Sequence, residues 1–164
     1  MRFHSLPESK RYPKNVAEYA MVLDRHNRVL GELAQTGRPV ILLTTAYSDT
    51  SQPVQRQPEW QALDPTALPW RTVPMHEVDG GDFVDPTYWH VSASVWEWQP
   101  GVFDAVVRLV ADDVAANVMI VAADCRWLLH PYDGGMDVIA ESSAVRDNLK
   151  LLYPQWLSPR PDGM

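Results

Sequence analysis

Residues 88–98 constrain the fold of this chain more than any other segment. Four apolar positions alternate there with five others, in the order Tyr88, Trp89, His90, Val91, Ser92, Ala93, Ser94, Val95 and Trp96. A strand places alternate side chains on opposite faces, so this pattern predicts a β-strand with two different faces. Shorter runs predict strands at 40–47, 70–78, 117–123, 127–130 and 136–140. A chain with this pattern has to be built around a sheet.

Three amphipathic segments predict helices between these strands. The first covers about 15–36, where Asn15 and Glu18 have the spacing of a capping box and Gly37 favours a stop. The second covers about 101–115, and the third begins at Ser142 or Ser143. The order of elements predicts an α+β fold, with an antiparallel or mixed sheet of about six strands and an N-terminal, a middle and a C-terminal helix packed on it. The length of 164 residues predicts a single domain, 1–164.

The stretch 48–87 interrupts this regular order. Its prolines and polar residues predict a long loop with one helical turn near 59–63, followed by the edge strand at 70–78. It contains seven acidic residues and two arginines, so we describe it as a long acidic loop and edge-strand segment. Loops of this length are often functional. The tail 158–164 is polar and rich in proline.

The formal net charge is −7 and is unevenly distributed. Residues 1–38 contain seven Lys or Arg and four Asp or Glu, whereas 97–137 resembles 48–87 with seven acidic and two basic residues. An acidic surface repels phosphate backbones, so we expect no direct binding of nucleic acid. Such a surface does suit a basic protein partner. The alternative, that the acidity only maintains solubility, stays open at this point.

Motifs for catalysis and cofactor binding are absent from the sequence. It has no GxxxxGK[ST], GxGxxG, HExxH or GxSxG pattern, and its single cysteine, Cys125, excludes an intramolecular disulfide and a multi-thiolate metal site. We therefore expect no cofactor and no metal. No apolar run approaches the ~20 residues that span a bilayer, and the first residues lack a signal-peptide pattern. We expect no membrane contact and a cytoplasmic location.

Several blocks of sequence resemble a known family. They are LPESKRYP at 6–13, RLVADD at 108–113 with ANVMIV at 116–121, WLLHPYDGGMDVI at 127–139, and WLSPRPDG at 156–163. Together they resemble small uncharacterised bacterial proteins of high-GC genomes, and the resemblance is weakest over about 48–85. It implies a bacterial, cytoplasmic, stand-alone domain and supplies no catalytic residue. The HPYDGG block at 130–135 is interpreted as a fold signature, with Pro131 and the glycines fixing a turn and Tyr132 packing beneath it. A functional role for this block stays open.

The first functional hypothesis is a protein-binding module. Small size, missing catalytic motifs and the acidic, tryptophan-bearing segment favour an immunity or antitoxin-type protein that neutralises a basic bacterial toxin domain. The alternative for segment 48–87 is a plain surface loop. The residues expected to contact the partner are aromatic and acidic: Tyr47, Asp49, Glu59, Trp60, Asp64, Trp70, Asp79, Asp82 and Asp85.

The second hypothesis is an enzyme with a site of histidines and aspartates. His90 and His130 lie on predicted strands, and Asp124 and Asp133 lie close to them in sequence. General acid–base chemistry requires such groups within hydrogen-bond reach of one another. Side chains more than about 10 Å apart, or on opposite faces of the sheet, would exclude that site. The alternative is that these residues are structural. The oligomeric state is not determined by the sequence.

Overall fold

The computed structural model of the chain describes residues 1–78, 82–83 and 85–158. The strands are β1 (Arg2–His4), β2 (Pro39–Ser48), β3 (Leu68–Pro74), β4 (Tyr88–Glu97), β5 (Met119–Ala122), β6 (Leu128–Tyr132) and β7 (Gly135–Ile139). The helices are α1 (Val16–Leu33), α2 (Pro58–Leu63), α3 (Met75–Val78), α4 (Asp104–Ala111) and α5 (Ser143–Leu152). Short 3-10 turns lie at Pro7–Ser9 and Pro154–Trp156.

The strands form one sheet in the order β1-β7-β6-β5-β2-β4-β3, and every neighbouring pair is antiparallel. The predicted α+β class is confirmed, with seven strands where about six were expected. The additional strand is β1, which pairs with β7 at one edge. With three residues it is too short to show the period of two from which a strand is recognised.

The long helices cover one face of the sheet, which we call the inner face. Its apolar side chains form one hydrophobic core with Val29 and Leu30 of α1, Val106 of α4 and Leu149 of α5. Burial of each such side chain contributes about 1.5–3 kcal/mol. The core residues on the inner face are Phe3, Val40, Leu42, Ile120, Leu129, Met136 and Val138.

The predicted helix caps explain where α1 and α5 begin. The Asn15 side chain accepts a 3.0 Å hydrogen bond from the Glu18 amide, and the Ser142 hydroxyl accepts one from the Val145 amide. The Glu18 carboxylate accepts from the Lys14 amide at 2.7 Å rather than from Asn15, so the capping box is displaced by one residue. Helix α1 ends at Leu33, and Gly37 has a positive φ of 80° in the loop that follows.

The turn after β6 fixes the position of β1. A Cβ atom added to Gly135 would lie 2.0 Å from the carbonyl oxygen of Phe3, so only glycine allows β1 to pair there. The Ser5 amide donates to the Gly134 carbonyl at 3.0 Å, and Arg11 forms a 2.5 Å ion pair with Asp133. The HPYDGG block therefore joins the β6–β7 hairpin to the N-terminal segment.

Segment 48–87 contains more regular structure than a loop. The helical turn expected near 59–63 is α2, and the expected edge strand occupies Leu68–Pro74 as β3, followed by α3. Pro74 lacks a backbone N–H, which is the physical reason that the strand ends there. A register shift between Pro69 and Arg71 interrupts the pairing of β3 with β4. The turn expected at 79–82 lies largely outside the described residues.

Strand β4 has the reverse of the usual orientation for an amphipathic strand. Its polar side chains point to the inner face, where His90, Ser92 and Ser94 are 7%, 6% and 6% exposed. Its apolar side chains point to the opposite face, where Val95 is 71% exposed. Sheets usually bury the apolar side and solvate the polar one. This reversal implies that specific neighbouring groups contact each face of β4.

Candidate partner-binding surface

The polar side of β4 is covered by segment 54–66. Asp64, which is 1% exposed, accepts a 2.6 Å hydrogen bond from the Ser94 hydroxyl and one from Thr66. The Ser94 oxygen also accepts a hydrogen bond from the Trp96 indole at 2.8 Å. Buried polar groups need partners of this kind, because an unpaired one costs about 1–3 kcal/mol. Asp64 therefore attaches the segment to the sheet.

Arg56 and Trp60 complete this attachment. The Arg56 guanidinium donates to the Asp64 carbonyl at 2.6 Å and lies 3.7 Å from its carboxylate. The Trp60 ring is 3% exposed and belongs to the main hydrophobic core. A cavity of only about 10 Å³ remains between Arg56, Trp60, His90 and Ser92, which is room for about one water molecule. This part of the molecule is packed rather than open.

His90 is held by two hydroxyl groups on neighbouring strands. Its Nε2 lies 2.8 Å from the Ser48 oxygen, and its Nδ1 lies 3.1 Å from the Thr72 oxygen. The Ser48 hydroxyl donates to the Thr50 carbonyl at 2.9 Å, so it accepts from the Nε2–H of His90. Nδ1 then accepts from Thr72. In this arrangement, each ring nitrogen of a neutral His90 has a hydrogen-bond partner. These contacts support a structural role for His90.

Three of the expected contact residues, Asp49, Asp82 and Asp85, lie at one end of the sheet. In the strand register, Ser48 of β2, Tyr88 of β4 and Pro74 of β3 are neighbours. The segments that adjoin this end carry Asp49 and Asp85, together with Glu77 of α3 and Asp82, all of them exposed. We call these four residues the acidic end. The described residues at 47–50 and 75–88 include no Lys or Arg.

The carboxylates of this acidic end are available to a partner. Asp49, Asp82 and Asp85 form no ion pair with any other residue in the described part of the chain. Glu77 lies 3.9 Å from the His76 ring and forms no other ion pair within the described residues. An uncompensated group of carboxylates produces a negative potential that attracts basic proteins.

Two exposed aromatic residues lie on the same β2–β4–β3 part of the sheet as the acidic end. Tyr47 is 46% exposed and packs edge-on against Trp89, with ring centroids 5.3 Å apart. Its hydroxyl accepts a hydrogen bond from the Asn117 amide, and burial of part of the ring raises its pKa. Trp70 lies at the register shift of β3 and is 62% exposed. Exposed aromatic rings of this type are frequent anchors of protein interfaces.

The structure divides the nine expected contact residues into groups. Tyr47, Asp49, Asp82, Asp85 and Trp70 are exposed on or beside the β2–β4–β3 part of the sheet. Glu59 is exposed on α2 next to the buried Trp60, and Trp60 and Asp64 hold α2 in place from inside. Asp79 lies outside the described residues. The accessible surface is thus smaller than the sequence suggested.

The four residues of the enzyme hypothesis do not form one site. The register places Leu129 on the inner face with His90, and His130 therefore on the opposite face. Asp124 and Asp133 lie at opposite ends of β6, about 16 Å apart for a five-residue strand. Asp124 pairs with Arg126 at 2.7 Å and Asp133 with Arg11. Burial lowers the pKa of His130, and the negative charge of Asp137 partly offsets this decrease.

A cleft lies elsewhere, between the end of α1 and the β5–β6 turn. It measures about 850 Å³, and its charged side chains include Glu32, Arg38, Asp124, Arg126 and Glu141. Arg126 forms ion pairs with both Asp124 and Glu141. None of the eight expected contact residues that the structure describes lines this cleft.

Within residues 1–78, 82–83 and 85–158, no group of three or more His, Cys, Asp or Glu is placed to hold a metal ion. No helix in the same ranges combines the length and the apolar character needed to cross a bilayer.

Sequence reasoning did not find the buried Arg56–Asp64–Ser94 group. The signal was present in β4, because His90, Ser92 and Ser94 on one face of a central strand require polar neighbours. The only charged residues of the adjacent loop between β2 and β3 are Asp49, Arg56, Glu59 and Asp64. Which of them turns inward depends on tertiary packing.

Comparison with known proteins gives a family and no activity. A family model described as a domain of unknown function, DUF3885, matches residues 1–161. No curated protein and no solved structure matches the chain. The match extends over nearly the whole length and includes the WLLHPYDGGMDVI block that forms the β6–β7 hairpin. The chain therefore belongs to the DUF3885 family of domains of unknown function.

Proposed function

We propose that this chain is a protein-binding module of the immunity or antitoxin type, which neutralises a basic bacterial toxin domain. The observation that carries the proposal is the acidic end, where Asp49, Asp82 and Asp85 are exposed and have no ion-pair partner in the described residues. Carboxylates that lack internal partners contribute little to folding but increase the association rate with a cationic surface. We place the interaction in the bacterial cytoplasm.

Aromatic residues beside the acidic end supply the apolar part of the proposed contact. Tyr47, packed against Trp89, presents a partly exposed ring two residues before Asp49, and Trp70 is exposed farther along β3. Protein interfaces commonly combine aromatic anchors with a charged rim. The rigid attachment of the segment through Asp64 and Trp60 also supports the proposal, because a pre-organised surface loses less entropy on binding.

Co-expression with the protein encoded beside this gene tests the proposal. We expect the wild-type chain to relieve the toxicity of that protein and to bind it with an affinity that falls as the salt concentration rises. The triple variant Asp49→Lys/Asp82→Lys/Asp85→Lys should lose protection and binding. Its matched control is Asp24→Lys/Glu32→Lys/Asp147→Lys, which makes the same change of net charge on exposed positions of α1 and α5.

The two variants separate a local effect from a general one. If both triple variants protect equally well, the acidic end is not the binding surface. If the wild-type chain neither binds its neighbour nor relieves toxicity, the proposed function is wrong. Thermal unfolding of both variants, measured in parallel, shows whether either has lost its fold.

A further inference from the structure

The face of the sheet opposite the helices carries two rows of aliphatic side chains. We call it the open face. In the strand register, Val95, Ile41, Val121, Leu128 and Ile139 lie side by side across five strands. The second row consists of Leu68, Ala93, Leu43 and Met119. Neither row contains a charged or polar residue.

These rows are not part of the hydrophobic core of the chain. None of the nine side chains belongs to either cluster of buried residues that the described helices and strands form. Leu68, Val95 and Ile139 are 70%, 71% and 65% exposed, and the other six are half-buried between their neighbours on the sheet. Contiguous apolar patches of several hundred Å² on a protein surface mark interaction sites.

The charged residues of the open face stand at its edges. Arg71 lies on the edge strand β3, and Arg2 and Asp137 form a 2.8 Å ion pair on β1 and β7. The middle of the face therefore has an apolar centre and a polar rim, which is the usual composition of a protein interface. A strongly basic partner would find no carboxylate in this centre to pair with.

The size of the face matches what a stable dimer needs. Strands lie about 4.8 Å apart and side chains on one face repeat every ~6.8 Å, so each covers about 33 Å². The nine aliphatic side chains account for about 300 Å² of each copy, and with the polar rim, which includes Arg71 and the Arg2–Asp137 pair, about 20 side chains on seven strands give roughly 700 Å². A standard interface buries about 800 Å² on each partner.

We propose that two copies of this chain pair through their open faces. The same patch serves both copies in a two-fold symmetric contact, and rows of branched aliphatic side chains interdigitate when two sheets pack about 10 Å apart. The centre carries no charge, so the two acidic chains can bury it without desolvating a carboxylate. This inference rests on the aliphatic rows alone, whereas the proposed toxin binding uses the acidic end and the Tyr47–Trp89 pair, which lies four residues beyond Leu43 and Ala93 on the same face.

Light scattering after size-exclusion chromatography tests the dimer. At micromolar concentration, we expect the eluted wild-type protein to have a molar mass of twice the 18.6 kDa of one chain. Val95→Lys and Ile139→Lys, made separately, should each weaken the dimer at least about tenfold, because each places a charge in the apolar rows of both copies. The control is Leu151→Lys, since Leu151 is 80% exposed on α5, on the side of the helices.

Every outcome bears on the proposal. Exposure of Val95 and Ile139 means that both variants should retain the wild-type circular dichroism spectrum. A wild-type chain that stays monomeric up to about 100 μM overturns the inference. So does a dimer that both lysine variants leave intact, or one that Leu151→Lys dissociates equally. A dissociated Val95→Lys chain that still binds the toxin partner would support the dimer and leave the proposed function in place.

Discussion

The Asp64 carboxylate accepts a 2.6 Å hydrogen bond from the Ser94 hydroxyl at a position where both side chains are buried. Asp64 is the C-terminal cap residue of α2, and Ser94 lies in the middle of β4. This contact and the ion pair with Arg56 join the acidic segment to the polar side of the sheet. The segment is therefore an integral part of the fold, although its sequence resembles a loop.

Replacement of Asp64 should destabilise the chain strongly. Asp64→Ala removes the buried carboxylate that accepts from Ser94 and lies 3.7 Å from the Arg56 guanidinium, so we expect the free energy of unfolding to fall by about 3 kcal/mol. Asp64→Asn keeps an acceptor for Ser94 and should cost less. Urea unfolding at pH 7 measures both, with the exposed Asp49→Ala as the control. An Asp64→Ala variant as stable as this control would contradict the role of the contact.

Truncation of Trp60 should mainly lower the stability of the chain, whereas truncation of Trp70 should mainly weaken binding. Trp60 is 3% exposed within the core, so Trp60→Ala should lower the free energy of unfolding by about 3–5 kcal/mol. Trp70 is 62% exposed, and Trp70→Ala should change stability by less than about 1 kcal/mol while reducing toxin binding. Thermal unfolding and a binding titration measure the two effects. Equal losses of stability would show that Trp70 is a packing residue.

Two glycines provide a matched pair for the role of the HPYDGG block. Gly135→Ala would place a Cβ 2.0 Å from the Phe3 carbonyl oxygen and should displace β1, at a cost of several kcal/mol. Gly31→Ala adds a methyl group within α1 where no atom lies within 4 Å, so it should stabilise the chain by about 0.5–1 kcal/mol. Chemical unfolding of both variants tests this difference in sign. A neutral Gly135→Ala would mean that β1 is not held against this glycine.

The free energy of unfolding should decrease as the pH is lowered, because His26 is buried. Its ring is buried and its Nδ1 bonds the Val22 carbonyl at 2.8 Å, and burial lowers its pKa from 6.5 to about 4. The unfolded chain therefore binds a proton between pH 6.5 and 4 that the folded chain does not, so acid favours unfolding in this range. The loss approaches about 3 kcal/mol near pH 4. In His26→Gln, this loss should be absent when the free energies of unfolding at pH 7.5 and pH 4.5 are compared.

The elements of the fold were predictable because each depends on local sequence. Asn15 and Ser142 cap α1 and α5 as expected, and short turns connect β5, β6 and β7, which correspond to the strands predicted at 117–123, 127–130 and 136–140. β1 was missed because three residues carry no periodicity. Its position depends on Gly135, which is more than 130 residues away in sequence, and no local pattern reports such a contact.

The candidate surface was predictable in part. The acidic character of 48–87 is a property of composition, and the exposure of Asp49 and Asp85 agrees with it. The inward direction of Asp64 and Trp60 follows from the polar side of β4, a pairing across 30 residues. Alternation shows that a strand has two different faces, but the element packed on each face decides which of them is buried.

The edges of the sheet determine how far association can extend. At one edge, Leu157 bridges to Phe3 and the Ser158 amide reaches the Arg2 carbonyl, so β1 is already covered. At the other, Pro69 and Pro74 leave a short stretch of β3 with backbone N–H groups. Fibres grow by repeated hydrogen bonding between exposed strand edges, and prolines oppose that growth. Because each copy has one open face, the pairing proposed above occupies that face completely, and the assembly should stop at two copies.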